Sequence, residues 1–334
     1  MTQKENKRLY YRLIALWILI ESLLGGILHG LKIPVTGILV GGAAMICIIL
    51  IAKYFPQKGS VFKAMVLVAI FKLMLSPHSP PTAYVAVFFQ GILGEFLLRN
   101  SRFYLFNCLL FGLITMLESA FQRIVVLVIL YGMEFWKAVD QWFAKLTGDD
   151  SFNDFSLYLA AGYVTLHAII GLGIAFLGWK ISNWKTDQNS ENRELTITTN
   201  NQLLSTISNE KPQKGWFRFS YIIALLAFGL FVQSLVQPES ALLPKGKIPE
   251  LMLRFVLIIS IWKLLVDPFI EKILQVWLKK KSGPLKESLE EIRLILPQMR
   301  WLVQESWRLS GKKITGIGLF LKILFYNLLQ NNET

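Results

Sequence analysis

Apolar residues run through this chain in long blocks broken by short polar stretches, without the two-residue alternation of a half-buried strand or the single apolar stripe of a water-facing helix. Eight blocks come near or pass the roughly 20 residues that cross a hydrocarbon core as a helix. They are 10–29, 33–55, 59–76, 81–98, 103–133, 155–179, 217–236 and 249–269. The fifth is overlong and is expected to kink or protrude. Lipid offers backbone N–H and C=O groups no partners, so such blocks must be helical, and no ten-residue alternating segments point to an outer-membrane barrel. The pattern predicts an all-α polytopic membrane protein.

The polar stretches divide the chain into three parts. Residues 181–216, rich in Asn, Ser, Thr, Gln and charge, hold too little apolar surface to fold alone and read as a cytoplasmic linker. The linker separates a six-helix membrane unit, 1–180, from a unit of two spans and amphipathic helices, 217–334. In the tail, Leu285, Leu289, Ile292, Leu296, Met299 and Val303 recur at steps of three and four, while Lys286, Glu287, Glu290, Arg293, Arg300 and Gln304 fill other faces. That is an amphipathic helix with a heptad-like seam. Pro284 suits its first turn; Pro297, lacking an N–H, is expected to kink it or divide it into two helices at an angle. The basic segment 268–281 is expected to lie along the inner headgroups. The run 314–329, interrupted by Lys322, reads as interfacial or as a short ninth span.

Charge then orients the blocks. The net charge of +13 would suit a nucleic-acid partner if the basic residues were clustered without regard to the blocks. With the N-terminus in the cytoplasm, however, 26 of the 35 Lys and Arg residues flank inner ends, five flank outer ends, and Lys72, Arg123, Arg254 and Lys263 lie inside blocks. The positive-inside rule then sets both ends of the eight-helix unit in the cytoplasm of a bacterial inner membrane, with no nucleic acid as partner. Lys4, Lys7, Arg8 and Arg12 imitate the basic start of a signal peptide, but no convincing small-residue cleavage site follows Gly30, so the first block reads as a retained span. Cys47 and Cys108 sit inside apolar blocks and form neither a disulfide framework nor a metal set.

A charged group at mid-bilayer costs about 2.5–3.5 kcal/mol on insertion scales, which makes the polar residues inside blocks the first candidates for function. They are Glu21, Lys72, Gln90, Glu95, Glu118, Gln122, Arg123 and His167. Glu21 and Lys72 lie at depths that allow a pair if the first and third spans touch, either to lock the bundle or to serve a site. Glu118 and Gln122 share a face with Arg123 adjacent, suiting a ligand site or an internal salt bridge equally. His167 has no second His or Cys near it and reads better as a hydrogen-bonded packing residue than as a metal ligand. The proline-rich segment 76–84 predicts a stiff outer loop carrying His78, Thr82 and Tyr84, with Gln90 about two turns below Thr82 on nearly the same face. Gly91 and Gly94 would allow another backbone to approach, and Ser22, Gly26 and Gly30, with Gly37 and Gly41, form small-residue contact faces.

Other chemistries find no residues to carry them. There is no phosphate-binding G-x-x-x-x-G-K-S/T loop for ATP. Asp149-Asp150 lacks the second acidic cluster of a membrane prenyltransferase, and Glu290-Glu291 has the wrong spacing for an intramembrane glutamate protease. No catalytic residue, metal or cofactor is assigned, and the chain is not read as an enzyme.

The segments Gly37-Ile-Leu-Val-Gly-Gly42, Lys72-Leu-Met-Leu-Ser-Pro-His-Ser-Pro-Pro-Thr-Ala-Tyr84 and Gln90-Gly-Ile-Leu-Gly-Glu95, with the helix count and orientation, give 10–180 a texture that resembles the substrate-binding (S) component of energy-coupling factor transporters. The C-terminal unit resembles a shortened transmembrane coupling (T) component. Trp307-Arg308-Leu309-Ser310-Gly311 is its nearest approach to the Arg-containing motifs that engage ATPases, departing from the usual Ala-Arg-Gly ending. The resemblance implies a membrane protein that takes a small nutrient from outside and couples to separate cytoplasmic ABC-type ATPases. Its pocket would be lined by Lys32, Thr36, His78, Thr82, Tyr84, Gln90 and Glu118 and closed by loops near 31–36 and 77–82, with Trp307 and Arg308 in the coupling region. A membrane scaffold recruiting a cytoplasmic partner through the tail, and a membrane enzyme acting on lipid or isoprenoid, stand as alternatives.

Overall fold

A computed structural model describes residues 3–30, 35–76, 79–99, 102–148, 155–184, 282–311 and 316–329. The expected spans 217–236 and 249–269, the segment 268–281 and nearly all of the linker lie outside these described residues. All elements among the described residues are helical. Helix α1 (Gln3–Ile18) continues through a π-helical turn, Leu19–Leu24, into α2 (Gly25–Gly30). Then come α3 (Thr36–Tyr54), α4 (Ser60–Leu75), α5 (Pro81–Leu97), α6 (Tyr104–Tyr131), α7 (Glu134–Thr147) and α8 (Phe155–Ser182). The tail forms α9 (Ser282–Leu309) and α10 (Ile317–Leu329).

Four helical stretches are long and apolar enough to cross a membrane, consistent with a membrane protein: Asn6–Leu28, Thr36–Tyr54, Tyr104–Tyr131 and Phe155–Ser182. The third and fourth blocks form shorter helices than a full crossing requires. α4 and α5 have 16 and 17 residues, roughly 25 Å at 1.5 Å per residue against a core of about 30 Å. The overlong fifth block ends at Tyr131, because Gly132 takes a left-handed φ of 69° that stops the helix.

Helix α7 then runs as a separate amphipathic element that the division into apolar blocks does not anticipate. Phe135, Trp136, Val139 and Phe143 recur at helical spacing on its half-buried side. It caps α8, with Asp140 accepting hydrogen bonds from Ser156 N at 2.6 Å and Ser156 Oγ at 2.9 Å. Phe143 stacks on Phe155, the first residue of α8, at a centroid separation of 3.5 Å.

The centre of the bundle is α3, which packs against α1, α4, α5, α6 and α8. Its apolar residues face every direction, as a helix surrounded by others requires. Of the residues in the apolar 18-residue stretch of each helix, 78% are buried in α3 but only 17% in α6 and 17% in α8. Phe121, Val125 and Ile129 of α6 and Leu166, Ile169 and Phe176 of α8 stand exposed, the faces on which lipid would lie.

One end of the bundle gathers basic residues and is tied by tyrosines. Tyr10 donates to the Ser60 carbonyl and Tyr104 to that of Ile49, each at 2.6 Å, with Lys53 over the Tyr104 ring. Glu95 belongs to this basic end rather than to mid-span. Its carboxylate accepts hydrogen bonds from the N–H groups of Gly59, Val61 and Phe62 at 2.7, 3.1 and 3.2 Å. It thereby satisfies donors that a helix N-terminus leaves unpaired and places negative charge at the positive end of the α4 dipole. A pocket of about 10 Å³ beside it, lined by Phe55, Gln57, Ser60, Val61, Glu95 and Arg99, has room for roughly one water. Glu95→Ala is expected to cost about 1–2 kcal/mol and to speed hydrogen exchange at Val61 and Phe62 selectively. Wild-type exchange at those amides in the variant would refute the capping role.

The tail packs back onto α1. Tyr11 Oη and Ser288 Oγ share a buried hydrogen bond of 2.9 Å, and Lys7 bridges Glu287 and Glu291, each at 2.8 Å. The hydrogen bond from Lys7 holds the Glu287 carboxyl below the usual carboxylate range. Leu285, Ile292 and Met299 of the expected seam are buried, and Ser288, Leu302 and Ser306 join them. The expected division at Pro297 does not occur: α9 runs unbroken from Ser282 to Leu309 with Pro297 inside it. One lost backbone hydrogen bond does not end a helix that is clamped along its length by packing. The last run is a 13-residue helix, about 20 Å long, too short to cross alone. Its Ile323, Leu324, Phe325 and Leu328 are buried in the same core as α9 and α1.

Candidate functional site

At the end opposite the basic one, the π turn brings Glu21 and Ser22 inside the bundle. A π turn inserts one extra residue per helical turn and rotates the residues beyond it onto a new face. Glu21 Oε2 thereby meets Lys72 Nζ at 2.6 Å, with side-chain exposures of 5% and 1%. Lys72 also donates to the Ala83 carbonyl at 3.2 Å and lies 5.5 Å from the centre of the Tyr84 ring. The pair expected from depth is therefore formed, and it clamps the α1–α2 junction, α4 and the first turn of α5 together.

The second polar group lies between α5 and α6. Gln122 Nε2 donates to the Thr82 carbonyl at 2.9 Å. A Cβ placed on Gly94 would lie 3.6 Å from the Phe111 ring, so those two positions also face each other. In an antiparallel pair these two contacts fix the register: Gln90 comes level with Thr115, and Glu118 stands one turn, roughly 4.5 Å, nearer Gln122. Gly41 of α3 closes the third side, where a Cβ would lie 3.1 Å from Gln90 Nε2 and 3.9 Å from Met116 Cε. Gln90 and Thr115 are buried, and three oxygens of the seam, Gln90 Oε1, Thr115 Oγ1 and Glu118 Oε2, are covered without any hydrogen-bond partner.

Of the expected pocket residues, Gln90 and Glu118 stand in this seam and Thr82 at its mouth. Thr36 is buried at the first residue of α3, one position before Gly37, which packs on Ser119 of α6. Tyr84 is buried against Lys72. Lys32 and His78 lie outside the described residues, as do 31–34 and 77–78 of the two expected loops. Thr115 escaped the sequence reading, although it precedes Glu118 by three and Gln122 by seven and so shares their face.

Of the two alternatives for Glu118, the internal salt bridge is not made among the described residues: Arg123 is exposed, and Glu118 Oε2 has no hydrogen-bond partner. His167 is buried with Nδ1 2.9 Å from the Tyr163 carbonyl one turn earlier, a packing contact. Gly91 and Gly94 admit side chains rather than a backbone, Met65 at the first and Ile48 at the second. Among the described residues no three His, Cys, Asp or Glu side chains gather where they could hold a metal ion.

Trp307 and Arg308, the residues expected in a coupling region, lie in the last turn of α9. Trp307 packs edge-on against Phe320 with ring centres 5.5 Å apart, and Arg308 pairs with Glu305 one turn earlier. Hydrogen bonding from Arg308 keeps the Glu305 carboxyl below its usual range. Comparison with family models, with curated proteins and with solved structures finds no match for this chain.

Proposed function

We propose that this chain is the solute-binding component of an uptake system, lying across a bacterial inner membrane with its basic end in the cytoplasm. A small nutrient entering from outside binds in the seam between α5 and α6. The observation that carries this reading is the set of three covered oxygens, Gln90 Oε1, Thr115 Oγ1 and Glu118 Oε2, left without partners on facing helices. An unmade hydrogen bond in an apolar interior is costly, and a ligand supplying the missing partners relieves that cost at three atoms together.

Three further features support the reading. The bias of 26 basic residues among 35 toward one side of the blocks favours a cytoplasmic basic end. The composite α1–α2 helix with α3, α4, α5, α6 and α8 follows the six blocks that resemble a substrate-binding component. The tail, docked on α1 and displaying Arg308 at its exposed last turn, suits engagement of separate cytoplasmic ATPases, since the chain has no nucleotide-binding loop of its own.

The test is purification of the full chain in lipid nanodiscs, identification of the co-purifying solute by mass spectrometry, and calorimetry with that solute. Gln90→Leu and Thr115→Val are each expected to weaken its binding by about 1–3 kcal/mol with the unfolding midpoint retained. If no solute is held, or if both variants lose folding and binding together, the seam is packing and the scaffold reading gains.

A further inference from the structure

The charge balance of the α5–α6 seam identifies the kind of ligand it takes, on the footing of the binding reading above. Glu118 contributes a covered carboxylate oxygen, and among the described residues no cation answers it. On α6, Arg123 is exposed. On α4, Lys72 is spent on Glu21 and on the Ala83 carbonyl, and Lys63 lies over the Tyr11 ring; on α8, Lys180 is exposed in the last turn. On α3, Lys53 sits at the basic end over the Tyr104 ring. Helix α5 carries no basic residue between Pro81 and Leu97. A half-buried carboxylate without a counter-ion is unfavourable, because part of its hydration is lost with no ion pair to offset it. The neighbouring orphans extend the same demand, since Gln90 Oε1 accepts hydrogen bonds only and Thr115 Oγ1 has free lone pairs.

We infer that the seam binds the positively charged, hydrogen-donating group of its ligand, a primary ammonium on a small organic molecule, with Glu118 as counter-ion and Gln90 Oε1 and Thr115 Oγ1 as further acceptors. An ammonium offers three donors on one charge, matching three acceptor oxygens on two helices. Gly41 serves this arrangement by lacking a Cβ: any side chain there would press on the Gln90 amide.

The experiment uses the full chain in nanodiscs of uncharged lipid and reads the unfolding midpoint against added salt at equal ionic strength. The probes are ethylammonium chloride, tetramethylammonium chloride, which has the charge but no N–H, and sodium chloride. Ethylammonium is expected to raise the midpoint saturably while tetramethylammonium does not. Glu118→Gln is expected to weaken the ethylammonium effect about tenfold or more, the loss of a charge-assisted hydrogen bond, while its midpoint without ligand stays at or above that of wild type. Glu118→Asp, which keeps the charge, is expected to retain part of the response. Equal responses to all three salts, or a response to sodium alone that depends on Glu118, overturns the ammonium assignment. A co-purifying solute that is neutral or anionic, yet is weakened by Gln90→Leu, overturns the ligand class while leaving solute binding standing. No solute and no response to any probe removes both.

Discussion

Lys72→Met is expected to lower the stability of the bundle by about 3–5 kcal/mol, the cost of leaving the Glu21 carboxylate buried without its partner. The side chain is 1% exposed, and Glu21, the Ala83 carbonyl and the Tyr84 ring take up its charge, so no water stands ready to replace what is lost. Glu21→Gln, leaving an unpaired ammonium instead, is expected to cost a similar amount. The double variant Glu21→Gln with Lys72→Met is expected to recover much of the loss, because neither charge then remains buried. The buried thiol of Cys47 supplies the measurement: its rate of labelling in graded denaturant reports opening of the helix at the centre of the bundle. Single variants that label at the wild-type rate would show that the pair is hydrated and contributes little.

Gly171→Val is expected to destabilise the chain by about 3 kcal/mol or more through overpacking. At this crossing α6 and α8 touch through backbone: a Cβ on Gly171 would stand 2.6 Å from the Gly112 carbonyl oxygen, and one on Gly112 would stand 2.6 Å from that of Gly171. Carbonyl oxygens held in helices cannot rotate aside as a long side chain can, so the helices would have to separate. Small residues at such positions let helices pack closely where lipid supplies no hydrophobic force between them. Gly173→Val is the control, since nothing lies within 4 Å of a Cβ at that position. Thermal unfolding in nanodiscs should separate the two variants clearly. Equal midpoints would mean that α6 and α8 are not held by this contact.

What could be read without the fold follows from what lipid and water demand locally. The helical class and the membrane-length blocks come from the runs of apolar residues, because lipid leaves the backbone no alternative to internal hydrogen bonding. The seam of α9 was legible from its steps of three and four, with Leu285, Ile292 and Met299 buried as expected. The Glu21–Lys72 pair was legible from depth, but other roles that depended on distant packing were not. Glu95 reads as a charge inside a span, yet it caps α4, because the turn at Gly59 delivers three N–H groups to it from more than 30 residues away. Pro297 reads as a kink or a division, and the helix α9 continues through it undivided.

The sequence by itself determined that this is a helical chain with several lipid-compatible spans, a basic side and a set of polar groups within its apolar blocks, since each property depends only on residue type and spacing. Only the tertiary structure decided which of those groups are answered. The π turn that aims Glu21 at Lys72 has no signature in spacing, because one extra residue in a turn changes the face of everything after it. The register of α5 on α6, which brings Gln90 level with Thr115 and leaves oxygens of Gln90, Thr115 and Glu118 without partners, is set by how these two consecutive helices pack on each other and on α3. Pairing and its absence are properties of three-dimensional contact, which spacing along one helix does not encode.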